Sequence, residues 1–266
     1  MRVSAALFDL GRTLVRGDPA VMFARYLRER GRFPDASWRL LEEALRAYHA
    51  GGDQDQAVDR ANAAFASAFA GLRPDAVAEL ARDKVRAGAG DDYYAYGRPL
   101  VAQVRRLGYR AAAVTGVAEP LASEIARDLG IDETYGTALE VDGEGRLTGR
   151  TRFEARPGWK LARVRHLLDG PGGAAEALAF GDSEADLPVL EVVGRPVVVN
   201  ARGAFAQRVR ALGWPLFGEG DDVAGALSGL VAGRPWNAAR TGAFQGATQP
   251  APSPRGVRGR GEPGRG

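Results

Sequence analysis

Hydrophobic positions run unbroken from Ala5 to Phe8 and stop at one carboxylate, Asp9. A run without a polar face is the pattern of a parallel strand covered on both sides, so residues 3–9 are predicted to be a buried strand. Leu10 to Gly17 reads as a turn with a short apolar–polar segment. From Asp18 the period lengthens to that of a helix. Asp18-Pro19 supplies an N-cap and a first-turn proline. Met22, Phe23, Tyr26 and Leu27 share a face, and Gly31 ends it. The same period recurs in Trp38, Leu41, Leu45 and Tyr48, which stop at Gly51-Gly52. It recurs again in Val58, Asn62, Phe65 and Phe69 before Gly71, and in Val77, Leu80 and Val85 after Pro74. Four helices with no strand between them predict a small helical bundle.

Beyond Gly88-Ala89-Gly90 the pattern alternates between short apolar runs and helical stretches. Helices are predicted over 99–107, 119–129 and 158–168, and near 187–193, 204–212 and 221–231. Strands are predicted over 109–114, 177–180 and 196–199. A hairpin is predicted over 140–148, turning at Asp142-Gly143-Glu144-Gly145. Strands alternating with helices predict a doubly wound parallel sheet. The expected organisation is therefore an α/β core from 1–16 plus 97–232, with a helical cap insert at 17–96. Residues 233–266, rich in Pro, Gly and Arg and without periodicity, are expected to be a disordered tail.

Composition changes this picture in three places. The formal charge of +3 arises from the tail: residues 235–266 carry five Arg and one Glu, and the rest of the chain sums to −1. The body is not basic, so the charge gives no reason to expect a specific nucleic-acid partner. The 266 residues contain no Cys, which removes disulfides and thiolate metal sites and is compatible with a reducing cytoplasm. No apolar run reaches the ~18 residues of a membrane span, and Asp9 interrupts the first one, so neither a span nor a secretory leader is expected. The reading is a cytoplasmic protein whose oligomeric state the pattern does not reveal.

Three buried strands end on polar residues: Asp9, Thr115 and Asp182. In a parallel sheet those ends share one edge. Two carboxylates facing each other would repel, so a cation is expected between them, and an all-oxygen donor set favours Mg²⁺. Asp186, one turn after Asp182, is a candidate ligand or an orienting group behind it. Thr115 offers a hydroxyl, and the chain around Gly116 is expected to open a helix whose N-terminus attracts anions. Lysine occurs only at 84 and 160 in this Arg-rich chain. Lys160 opens a helix, where the macrodipole disfavours a cation, and a bound phosphate would explain it.

Phe8-Asp9-Leu10-Gly11-Arg12-Thr13-Leu14, Thr115-Gly116, Lys160 and Gly181-Asp182-Ser183-Glu184-Ala185-Asp186 stand in the order of the four motifs of the haloacid dehalogenase superfamily. With Ala126–Asp132, Thr148-Gly149-Arg150 and the insert after the first motif, the chain resembles the phosphoserine-phosphatase-like branch. The resemblance implies Asp9 as nucleophile, Thr115 and Lys160 as catalytic phosphate ligands, and Leu10, Gly11, Arg12 and Gly116 along the phosphate site. It implies Mg²⁺ held by Asp9, Asp182 and the Gly11 carbonyl, with Asp186 behind them, and a small phosphorylated substrate.

The family's phosphatases carry Asp where this chain has Gly11, as proton donor to the leaving group. Such help is typically worth ~10²–10⁴-fold. Arg12 stands where the family usually has Gly, and reads equally as a functional or a surface cation. Three outcomes are open. One is hydrolysis of a phosphate or diphosphate whose leaving group needs no proton. Another is a non-phosphatase reaction, such as prenyl-diphosphate ionisation, dehalogenation or phosphonate cleavage. The third is binding without turnover. His49 and His166 read as ordinary helix residues, the insert aromatics as packing, and Tyr93, Tyr94 and Tyr96 as either packing or pocket.

Overall fold

The computed structural model describes residues 4–50, 54–88, 90–152, 158–169, 172–233 and 236–237. The chain begins with β1 (Ala5–Phe8), then four helices: α1 (Pro19–Arg28), α2 (Asp35–His49), α3 (Gln54–Ser67) and α4 (Pro74–Gly88). There follow α5 (Gly97–Arg106), β2 (Arg110–Ala118), α6 (Glu119–Leu129), β3 (Glu133–Thr137), β4 (Leu139–Val141) and β5 (Leu147–Thr151). The remainder is α7 (Trp159–Leu168), α8 (Gly173–Glu176), β6 (Leu178–Gly181), a 3₁₀ turn (Glu184–Asp186), α9 (Leu187–Leu190), β7 (Arg195–Val199), α10 (Gly203–Ala211), β8 (Leu216–Phe217) and α11 (Val223–Ala232).

Six strands form one sheet in the order β3-β2-β1-β6-β7-β8, every neighbouring pair parallel. The predicted doubly wound, Rossmann-like fold is thus observed. β1 shows why its sequence has no polar face. Ala6 and Phe8 enter the apolar layer shared with α1, α5, α6 and α11, whereas Ala5 and Leu7 enter the layer beneath α7, α9 and α10. Phe8 stacks on Phe180 of β6 at 4.6 Å. From β1 the chain builds outward one way to β2 and β3, then returns and builds the other way from β6. The carboxyl ends of β1 and β6 therefore flank the topological switch point, where such sheets bind ligands.

The four helices after β1 leave and rejoin the sheet side by side. Arg16 N donates to Asp92 O at 2.7 Å and Tyr94 N to Leu14 O at 3.0 Å. Phe23, Phe33, Phe65 and Phe69 pack ring against ring, with centroids 4.9–6.1 Å apart. They belong to the same apolar layer as Phe8 and Leu121. The β4–β5 hairpin clamps the end of α3, with Gly71 N donating to Leu147 O and Leu147 N to Leu72 O, both at 2.8 Å. Arg82 of α4 grips the buried Glu124 of α6 through two nitrogens, at 3.1 and 3.3 Å.

Some local expectations are corrected. β2 does not stop at Val114: after a register shift, Ala118 pairs with Thr137, and the helix begins at Glu119. Gly116 therefore lies in a strand and not at a helix N-terminus. The helix expected over 187–193 ends at Leu190. β3 and β8 were not predicted; β3 has partly exposed polar side chains at a sheet edge, and β8 has only two residues. Within the expected tail, Asn237 is buried: its amide donates to Leu190 O and Val193 O at 2.9 Å and accepts from Trp214 Nε1 at 3.2 Å. Residues 234–235 and 238–266 of that tail lie outside the described residues.

Candidate active site

Asp9 sits one residue past β1, its N–H donating to Phe180 O at 3.0 Å. Its carboxylate accepts from Lys160 Nζ at 2.8 Å on Oδ1 and from Thr13 Oγ1 at 3.3 Å on Oδ2. Lys160, the second residue of α7, is 6% exposed and also donates to Asp186 Oδ1 at 2.6 Å. The other oxygen of Asp186 accepts from Asp182 N, Ser183 N and Ser183 Oγ at 3.1–3.2 Å. Asp186 thereby holds the turn that presents Asp182. Only Gly fits before that turn, since a Cβ at Gly181 would lie 2.5 Å from Asp186 Cβ.

Arg12 completes the cluster. Its Nε donates to Asp182 Oδ2 at 2.9 Å, and its Nη2 to the Tyr48 hydroxyl on α2 at 3.1 Å. Its φ of +57° is in the left-handed region, which costs a residue with a Cβ about 1 kcal/mol. The loop is held there from outside: Asn200 Nδ2, past the end of β7, donates to Arg12 O at 2.9 Å and to the Tyr96 hydroxyl at 2.8 Å. That hydroxyl donates to Thr13 O at 2.7 Å.

The cluster has three carboxylates and two cations. Burial pushes the Asp9 carboxyl above the usual range; the Lys160 ammonium opposes this and the Asp186 carboxylate adds to it. Burial also raises Asp182, reinforced by Asp186 and Asp9 against Arg12 and Lys160. Burial would lower Lys160, but Asp186 and Asp9 outweigh it and hold an ammonium. In both carboxyls burial is the larger cause and the neighbouring carboxylates add to it. An oxygen from each of Asp9, Asp182 and Asp186 lies within 4.8 Å of the others. Hard oxygen donors short of positive charge suit a divalent cation such as Mg²⁺. Asp9 and Asp182 face the cavity and Asp186 does not, which makes Asp9 and Asp182 the pair fitted to hold it.

Above the cluster is a cavity of about 350 Å³. The predicted residues Asp9, Gly11, Arg12, Thr115, Gly116, Lys160 and Asp182 all line it; Asp186 stands behind. Leu10 differs: its side chain is fully buried in the core, and only its main-chain N–H reaches the Asp9 carboxylate. The sequence assigns Thr13, Tyr48 and Asn200 no role in the site and leaves Tyr96 between packing and pocket. Asn200 ends a strand on the same sheet edge as Asp9 and Asp182, and that position was the available signal. Thr13 lies inside the first motif. Nothing in the sequence marks Tyr48.

Fold and site together define a class: a doubly wound α/β protein with an acidic, lysine-held crevice at its switch point. The haloacid dehalogenase-like hydrolase family profile matches residues 6–191, and the chain belongs to that family as a phosphatase-like member. It is 31% identical over 221 residues to the phosphoserine phosphatase SerB1 of Mycobacterium tuberculosis H37Rv, covering 80% of this chain and 70% of that protein. Among solved structures, a protein of unknown function from Bordetella pertussis Tohama I is 27% identical, with TM-score 0.69 over 82% of this chain and 99% of that one. A phospho-aspartyl intermediate analogue of phosphoserine phosphatase shares the fold, with 17% identity and TM-score 0.56 over 86% of this chain and 99% of that one.

Proposed function

We propose that the chain is a Mg²⁺-dependent phosphohydrolase acting on a small phosphorylated or diphosphorylated metabolite through an aspartyl-phosphate on Asp9. The observation that carries this is the Asp9–Lys160–Asp186 chain of hydrogen bonds opening onto the cavity. Lys160 holds Asp9 as a carboxylate, aimed by Thr13. The nucleophile's oxygen attacks phosphorus, the bond to the leaving oxygen breaks, and water then hydrolyses the acyl phosphate. Thr115 and Lys160 bind phosphoryl oxygens. Asp9, Asp182 and the Gly11 carbonyl would hold Mg²⁺, which supplies charge neutralisation and orientation of the phosphoryl group. Helices α1–α4 act as a cap that excludes water. No helix among the described residues is long and apolar enough to cross a membrane.

Gly11 has no group to protonate a leaving oxygen. Substrates whose leaving group departs unprotonated, such as acyl or aryl phosphates, should therefore be turned over faster than alkyl phosphates, by an amount comparable to the ~10²–10⁴-fold worth of a general acid. The test is acetyl phosphate and p-nitrophenyl phosphate with Mg²⁺, alongside Asp9→Asn and Gly11→Asp. A Cβ at Gly11 would lie 3.2 Å from the Pro19 ring, so Gly11→Asp requires a small shift of α1. Turnover that Asp9→Asn abolishes supports the reading. Equal rates in wild type and Asp9→Asn would overturn it.

A further inference from the structure

The cavity has two unlike ends. Its floor is the charged cluster already described. Its roof is made by α2 and α3, which present Leu41, Ala44, Leu45, Ala57, Val58 and Ala61. Both helices carry charges, but Arg39, Glu43, Arg46 and Arg60 lie on their exposed faces, away from the cavity. The two polar roof residues are already bonded within the protein. The Tyr48 hydroxyl accepts from Arg12, and Asn62 Nδ2 donates to Thr137 Oγ1 at 3.4 Å, which itself donates to Gly116 O at 2.8 Å. Among the described residues, α2 and α3 offer this cavity no charged side chain; the charged lining residue outside the floor is Asp18, the exposed N-cap of α1, which accepts from Ala20 N and Val21 N.

We infer that the organic part of the substrate is uncharged and apolar: the site takes a phosphate ester, acyl phosphate or diphosphate of a hydrocarbon-like group, not of an amino acid. This deepens the phosphohydrolase reading and rests on it. Against α2 and α3 a free ammonium or carboxylate would lose water and meet no charged partner, which is costly for ions; the carboxylate of Asp18 stands apart, at the exposed start of α1. A methylene chain there loses only unfavourable contact with water, and each buried methylene strengthens binding by about fourfold. The roof's small side chains, Ala44, Ala57 and Ala61, leave room for such a group between the helices.

The experiment is calorimetric binding to the full chain with Mg²⁺, using inorganic phosphate, ethyl phosphate, hexyl phosphate and O-phosphoserine. Hexyl phosphate should bind at least ~10-fold more tightly than ethyl phosphate, and O-phosphoserine no more tightly than inorganic phosphate. Val58→Ala should reduce hexyl phosphate affinity by about threefold or more and leave inorganic phosphate unchanged. Ala61→Asp should remove the hexyl advantage altogether. If phosphate binds but the hexyl chain adds nothing, or O-phosphoserine binds best, the apolar-substrate inference alone is overturned. If inorganic phosphate itself does not bind with Mg²⁺, the phosphohydrolase reading falls and takes this inference with it.

Discussion

At the floor of the cavity, Asp9, Arg12, Lys160, Asp182 and Asp186 come from three chain segments and hold one another at 2.6–2.9 Å. At the roof, α2 and α3 turn an apolar face with small side chains toward the same space. The floor is rigid by connection: almost every polar atom there has a partner, and Gly181 permits the close approach that makes this possible. The roof is joined to the floor through the Arg12–Tyr48 contact and through Asn62, Thr137 and the Gly116 carbonyl. A phosphoryl group has one geometry and needs fixed charges, whereas the organic group it leaves with varies. On the proposed function, chemistry and selectivity are housed in different parts of the chain.

The largest test of this division is Lys160→Ala. It strips the shared cation from two buried carboxylates and should destabilise the fold by about 3–5 kcal/mol, seen as a lower midpoint in denaturant, with phosphate binding lost. Next is Asp9→Asn, which should lower turnover by at least ~10³-fold while leaving hexyl phosphate bound. Loss of that binding would mean that floor and roof are not separable.

Addition of Mg²⁺ ranks third, stabilising by about 2.7 kcal/mol at a hundredfold excess over its dissociation constant. The sign with pH follows from the raised Asp9 and Asp182 carboxyls. The folded protein binds their protons more readily than the unfolded chain does, so without metal these groups favour folding at low pH. Their contribution is lost as pH rises through the folded-state values. Mg²⁺ needs both ionised, and its increment in melting temperature should be larger at pH 8 than at pH 5. The smallest effect is the link between the two ends. Arg12 is 39% exposed on its side chain, so Arg12→Ala should change stability by no more than about 1 kcal/mol. A double-mutant cycle with Tyr48→Phe should yield less than about 1 kcal/mol of coupling.

Much of the floor was legible in the chain because its signals are local. A run apolar on both faces ending in Asp9 marks a central strand. A lone lysine at a helix start in an Arg-rich chain marks Lys160 as unusual, and Gly181-Asp182 repeats the pattern of an apolar strand ending on a carboxylate. The helical period likewise located α1 to α4. The roles of Tyr48 and Asn200 were not legible, because each depends on a hydrogen bond to residues 36 or more positions away. Gly116 was misplaced because a strand that shifts register and runs on to Ala118 has no signature in periodicity. Leu10 was expected along the phosphate site, and its side chain belongs to the core.

The sequence by itself determined the doubly wound class, the four helices after the first strand and the identity of the charged residues. Burial and periodicity are written in the order of side chains, and an apolar strand ending in a carboxylate has few other uses. Only the tertiary structure decided which charges meet. The sheet order sets β1 beside β6 at the switch point, and with it Asp9 near Asp182. It also decided that Arg12 faces Asp182, that Asp186 braces the turn before it, and that α2 and α3 turn Leu41, Leu45 and Val58 toward the cavity. Electrostatic energy depends on distance and on exclusion of water, and neither exists until the chain has folded.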